Sequence, residues 1–248
     1  METFDSTTLI LLISIFVLAG AVKGVIGLGL PTVTLGLATV VTDHTTAMAL
    51  MLIPSCVTNL WQALAGGSSL RILKKIWPFL LTAILTISIG GMALSHIQAD
   101  ILSVCLGIVL MAYGLISLAG LRLNISTSHN RWLGPVFGSI NGILTGMTGS
   151  FVVPGVMYLQ SIKLSKDEFV QSMGWLFFLS TIVLWWVLGE QSLLRQDILM
   201  YSGYALIPAV TGMWIGQKIR HQLSEVTFRK VFFWSILLLG AYIILSHL

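Results

Sequence analysis

Charge is what this sequence has least of. Charged residues make up 9% of its 248 residues, against about 25% in an ordinary soluble domain. Nine are acidic, and none of those falls deep inside an apolar run, so a stripped cation would meet no countercharge. The two cysteines, Cys56 and Cys105, stand alone within apolar segments, which excludes a CxxC redox pair and any thiolate metal spacing. Histidines occur at 44, 96, 129, 221 and 247, each at a segment end or in a loop, and this placement speaks against metal binding within the membrane. No nucleophile, base and orienting residue group together, so no enzyme is expected, and neither is a cofactor. Lys23 precedes a glycine run instead of ending it, which rules out a phosphate-binding P-loop. The basic residues form no clustered face, so the net charge of +4 does not point to nucleic acid.

What the chain does have is apolar length. It is 56% hydrophobic with a mean hydropathy of +0.95, and it consists almost entirely of apolar runs joined by short polar links. A hydrocarbon layer about 30 Å thick asks for roughly 20 apolar residues per spanning helix. The expected solvent is therefore lipid, and the fold class all-α and polytopic. The segments run over 8–27, 30–41, 46–65, 76–94 and 98–119, then 132–148, 152–162, 168–189, 197–216 and 230–247. The first follows Glu2 and Asp5 and lacks a small-residue cleavage site, so it is expected to be an anchor and not a removable signal.

The loop cations orient these segments. With ten crossings and an outside N-terminus, Arg71, Lys74, Lys75, Arg122, Arg131, Lys163, Lys166, Lys218, Arg220, Arg229 and Lys230 fall inside, and Arg195 falls outside. If the two short segments re-enter, the same cations divide evenly between the faces. Because Lys and Arg gather in cytoplasmic loops, the ten-crossing arrangement is the expectation, with both termini periplasmic.

The halves match each other. Gly20-x-x-Lys23-Gly24 aligns with Gly138-x-x-Asn141-Gly142, and Gly91-x4-His96-x3-Asp100 with Gly216-x4-His221-x3-Glu225, at an offset that rises from 118 to 125. Residues 1–120 and 132–248 thus read as two five-helix repeats joined by a basic cytoplasmic link at 121–131. Five crossings is an odd number, so the second repeat is expected upside down relative to the first. Inverted repeats are characteristic of secondary transporters.

The two short segments each follow a glycine-rich break, Gly24 to Pro31 and Gly142 to Pro154. Unwound backbone at membrane depth is tolerated only against protein or a wet cavity. Two helix N-termini would then turn their N–H groups toward that cavity and favour an anion. Lys23, Gly24, Gly27, Gly29 and Pro31 from the first break, with Asn141, Gly142, Thr145, Gly146, Thr148, Gly149, Ser150 and Pro154 from the second, are the candidate substrate-binding residues. The bland alternatives are that the glycines let helices pack closely and that Lys23 snorkels to the interface. Thr58, Asn59, Gln62, Gln171 and Ser172 could line a path, but interhelical hydrogen bonds are the commoner use of such residues.

Gly20-Ala-Val-Lys-Gly-Val-Ile-Gly-Leu-Gly-Leu-Pro31 resembles the first signature of the TauE/SafE family of sulfite exporters and related permeases, and Gly138 to Pro154 resembles its repeat. The resemblance covers essentially the whole chain. It implies bacterial inner-membrane transport of sulfite, organosulfonates or similar small sulfur-containing anions. It places Gly24, Gly27, Gly29 and Pro31 at one half of the site, and Gly142, Gly146, Gly149 and Pro154 at the other. Leu28 and Leu30 interrupt the first glycine run, and Ser150 and Phe151 replace glycines in the second, departures that bear on pocket size. The expected partners are thus a small anion and the lipid bilayer, and the expected mechanism is alternating access. The rival readings are a channel of the same fold, or a carrier of a different small solute.

Overall fold

A computed structural model describes residues 4–65, 67, 69–120, 130–162, 164–220 and 225–247. Among the described residues all regular structure is helical. In chain order the helices are α1 (Ser6–Ile26), α2 (Leu30–Val41), α3 (His44–Leu50), α4 (Leu52–Leu64), α5 (Ser69–Gly91), α6 (Ala93–His96) and α7 (Ala99–Leu118). They continue as α8 (Asn130–Thr148), α9 (Gly155–Ser161), α10 (Lys166–Glu190), α11 (Gln196–Arg220) and α12 (Glu225–Ser246). Most of the basic link, 121–129, and His221 of the second repeat motif lie outside the described residues.

Five of these helices are long and apolar enough to cross a membrane: Ser6–Ile26, Ser69–Gly91, Ala99–Leu118, Asp167–Glu190 and Gln196–Ile219. The pair α3 and α4 passes the same test as one span bent by 44°. Polarity is distributed as lipid demands. Large apolar side chains such as Ile10, Leu85, Ile108, Ile207 and Leu238 face outward, whereas Lys23, Asn59, Asn141, Thr145, Ser180 and Thr181 are buried.

Capping chemistry fixes several helix starts. The Asp43 carboxylate accepts from the Thr46 N–H at 2.9 Å to open α3. Ser165 and Glu168 form a reciprocal capping box at α10. The expected single helix over 46–65 is instead two, because the chain bends at Met51. The bend is held from a distant part of the sequence. The buried Ser202 hydroxyl of α11 donates to the Leu50 carbonyl at 2.8 Å and accepts from the Ile53 N–H at 3.1 Å. The expected segment over 152–162 is also shorter, since only Gly155–Ser161 is helical.

Helices pair mainly as α1 with α11, α5 with α8, α4 with α10, and α7 with α12. Glycine makes the first two pairs close. A Cβ on Gly20 or Gly24 would overlap the Ala209 or Met213 carbonyl of α11, and one on Gly142 or Gly146 would overlap the Ala83 or Ile87 carbonyl of α5. Backbones that touch in this way gain dispersion contacts that lipid tails cannot supply. The pair α4–α10 is tied by reciprocal amides: Gln62 Nε2 donates to the Val170 carbonyl at 2.9 Å, and Gln171 Nε2 to the Ala63 carbonyl at 3.4 Å. Thr58 and Ser172 instead back-bond within their own helices, to Pro54 and Glu168.

The glycine at the α8 contact is a sharp probe of this packing. Gly142→Leu is expected to lower stability by about 3 kcal/mol or more through overpacking. Gly189 has nothing within 4 Å of a built Cβ, so Gly189→Ala is expected to be neutral or stabilising by up to about 1 kcal/mol. Thermal melting of the purified variants measures both.

Candidate functional site: two helix breaks and a buried lysine

Both breaks exist, and both begin later than the sequence suggests. Helix α1 continues through Gly24 to Ile26 and ends on Gly27, a left-handed residue (φ 78°) whose N–H donates to the Lys23 carbonyl at 2.8 Å. Helix α8 continues through Gly142 and Gly146 to Thr148 and ends on Gly149 (φ 69°), whose N–H donates to the Thr145 carbonyl at 2.8 Å. These αL caps need glycine, because a Cβ clashes with the backbone there. Gly24, Gly142 and Gly146 therefore pack helices and do not unwind them. Only Gly27, Gly29 and Gly149 of the candidate glycines lie in the breaks themselves.

The caps also set the register between the halves. Gly27 and Gly149 stand 122 residues apart, as do Lys23 and Thr145, Gly20 and Gly142, and Gly24 and Gly146. The carbonyls those packing glycines meet, Ala83 and Ala209, then Ile87 and Met213, are 126 residues apart in each case. At this spacing Lys23 corresponds to Thr145, whereas the sequence motif at offset 118 pairs it with Asn141.

The second break is stitched by the side chains that precede it. Asn141 Oδ1 accepts from the Gly155 N–H at 2.8 Å, which caps α9. Thr145 Oγ1 donates to the Ser150 carbonyl at 3.0 Å, and the Ser150 N–H donates to Thr148 Oγ1 at 3.2 Å. Pro154 is the residue before α9, and Pro31 lies in the first turn of α2. The expected pair of free helix starts is accordingly reduced: α9 has seven residues and its first N–H is taken by Asn141, while α2, behind Gly29, has no side-chain cap. Asn141 Nδ2 and Ser150 Oγ stay buried without a protein partner.

The first break holds the charge. Lys23 is 4% exposed, and its ammonium donates to Asn59 Oδ1 on α4. It does not snorkel to the surface. Among the described residues no carboxylate is buried, and none forms an ion pair with Lys23. The same Asn59 amide keeps its Nδ2 unpartnered, as does Ser55 Oγ one turn earlier on α4. Thr32 and Thr34 of α2 add two more buried hydroxyls without partners. Ser55, Thr32 and Thr34 were not among the expected site residues, although the Ser55–Asn59 spacing of four puts both on one helix face. No hydrogen bond among the described residues joins the Lys23–Asn59 pair to the second break.

The polar side chains of this interior are buried. Asn141, Thr145 and Ser150 have no exposed surface. Three surface cavities, of about 450, 220 and 530 Å³, are lined by none of the candidate residues.

Residues 12–243, nearly the full length, match the family model described as "Sulfite exporter TauE/SafE". The chain belongs to that family. It is a multi-pass, all-helical membrane protein of a transporter family. No curated protein and no solved structure matches it.

The stitching of the second break has a direct test. Asn141→Leu strips the Gly155 N–H of its acceptor and is expected to cost about 1–3 kcal/mol, the penalty of a buried unsatisfied donor. Asn141→Asp, which keeps an acceptor at that place, is expected to retain more of the melting temperature than Asn141→Leu.

Proposed function

We propose that this TauE/SafE protein is a secondary carrier. It moves a small anion, sulfite, an organosulfonate or a similar sulfur oxyanion, across the bacterial inner membrane by alternating access between two inverted halves. The observation that carries this reading is the buried Lys23 side chain, held by an amide and, among the described residues, unopposed by any buried carboxylate. A charge taken out of water is costly unless paired, and an anion supplies the missing partner. Asn59 Nδ2 and Ser55 Oγ are donors ready to bind its oxygens.

The inverted arrangement is supported by the pairing of helices. Exchanging the halves turns α1–α11 into α8–α5 and leaves α4–α10 and α7–α12 in place, and the glycine contacts recur at constant spacing. Ten crossings fit the dimensions. Three residues at Gly27–Gly29 reach at most about 10 Å and α2 rises about 18 Å, while residues 149–154 reach at most about 20 Å and α9 about 10 Å. Each sum is close to the roughly 30 Å of hydrocarbon. With that count, the basic loops gather on the cytoplasmic side and both termini face the periplasm.

The test is counterflow in proteoliposomes. Sulfite loaded inside is expected to accelerate entry of labelled sulfite with saturation, and Lys23→Gln is expected to reduce this flux at least about tenfold while the protein stays folded. Unsaturable flux would replace the carrier by a channel. If sulfite neither moves nor shifts the melting temperature, and taurine and sulfoacetate do no better, the substrate assignment fails.

A further inference from the structure

We infer that the Lys23–Asn59 locus selects its anion by charge, accepting singly charged oxyanions and rejecting doubly charged ones. The inference rests on the anion-carrier reading above and adds to it a rule about which anions pass.

The argument is a count of buried charge. Among the described residues, Lys23 and His44 are the buried basic side chains, and no acid is buried. His44 opens α3, fifteen residues before Asn59, which places it about 20 Å away along the helical path. Among the described residues, Lys23 is therefore the one buried side chain at the locus that can carry positive charge to meet an anion. Around it stand neutral groups: the Asn59 amide, whose oxygen accepts from Lys23 and whose nitrogen is unpartnered, and the unpartnered Ser55 hydroxyl on the same face of α4.

A singly charged oxyanion would neutralise this locus and take hydrogen bonds from Lys23, Asn59 and Ser55 at once. A dianion could make the same hydrogen bonds. It would also leave one net negative charge in a buried, low-dielectric setting with no second cation at the locus among the described residues. Neutral donors distinguish shape but cannot balance that charge. The choice of Asn at position 59 matters for the same reason. Its amide orients the ammonium and leaves the charge available, whereas a carboxylate there would cancel it.

Methanesulfonate and sulfate are tetrahedral oxyanions of similar size that keep fixed charges of one and two at neutral pH, so they separate charge from shape. Binding to the purified full-length protein in nanodiscs is measured by calorimetry. Methanesulfonate is expected to bind with a dissociation constant about tenfold or more below that of sulfate. Asn59→Asp, which places a carboxylate against Lys23, is expected to abolish methanesulfonate binding while the melting temperature stays at or above that of the unaltered protein. Sulfate binding as tightly as methanesulfonate, or tighter, overturns the charge rule and leaves the anion reading standing. Wild-type binding of methanesulfonate by a folded Asn59→Asp variant overturns the role of Lys23. If neither anion binds and sulfite counterflow is also absent, the anion reading itself falls and the charge rule with it. If sulfite moves but methanesulfonate does not bind, the charge rule alone is overturned.

Discussion

A backbone amide that leaves a helix inside lipid has no water to take it up, and the breaks within this chain's apolar segments meet that constraint with hydrogen bonds. Three departures show how it is met. At Met51 the Leu50 carbonyl and the Ile53 amide are both served by one hydroxyl, Ser202. At the second break Asn141, Thr145 and Thr148 turn back from α8 to bind the amides and carbonyl of the residues that follow. At the first break the αL cap at Gly27 returns its N–H to the Lys23 carbonyl. Each of these interruptions is thus met by hydrogen bonds, from side chains at Met51 and the second break and from the backbone itself at the first.

The polar groups placed to satisfy the backbone and those left over do different work. In the second break most of the hydrogen-bonding capacity is used up internally, so Asn141, Thr145 and Thr148 are first of all scaffolding. In the first break the caps are backbone to backbone, and the side chains of Lys23, Asn59, Ser55, Thr32 and Thr34 keep capacity in hand. The two halves share a spacing of caps and packing glycines, and at that spacing Lys23 in the first corresponds to Thr145 in the second. A repeat that was chemically symmetric would offer either two cations or none; the divergence leaves one.

Much of the fold is legible from residues alone because lipid imposes a coarse rule that composition obeys. Apolar runs bounded by Gly, Pro and charge locate α1, α2, α7, α10 and α11 to within a few residues. The misreadings share a physical cause. Glycines four apart look the same in sequence whether they permit a left-handed cap or a close helix contact, so the breaks appear to begin at Gly24 and Gly142 when Gly27 and Gly149 are the caps. That ambiguity also slips the repeat alignment by one helical turn and pairs Lys23 with Asn141. The bend at Met51 depends on Ser202, about 150 residues away in the chain, and the burial of Lys23 on Asn59, 36 residues away. Neither contact has a local signal.

The partner chosen for Lys23 links the fold to the chemistry. An aspartate at position 59 would satisfy the Lys23 side chain more fully and strengthen the single bridge from α1 to α4, but it would leave nothing for a ligand to complete. A purely apolar neighbour would leave the long side chain without a fixed geometry, and entropy would then oppose binding. Asparagine lies between these limits. Its oxygen holds Lys23 Nζ and its nitrogen is left without a partner, and on the proposed reading its neutrality leaves the positive charge for an anion to compensate. On the proposed reading the Lys23–Asn59 bridge and the binding locus are one structure, so an anion bound at Lys23 would also alter the link between α1 and α4. In a carrier whose halves rock against each other, that coupling is how occupancy of the site can bias the position of the helices.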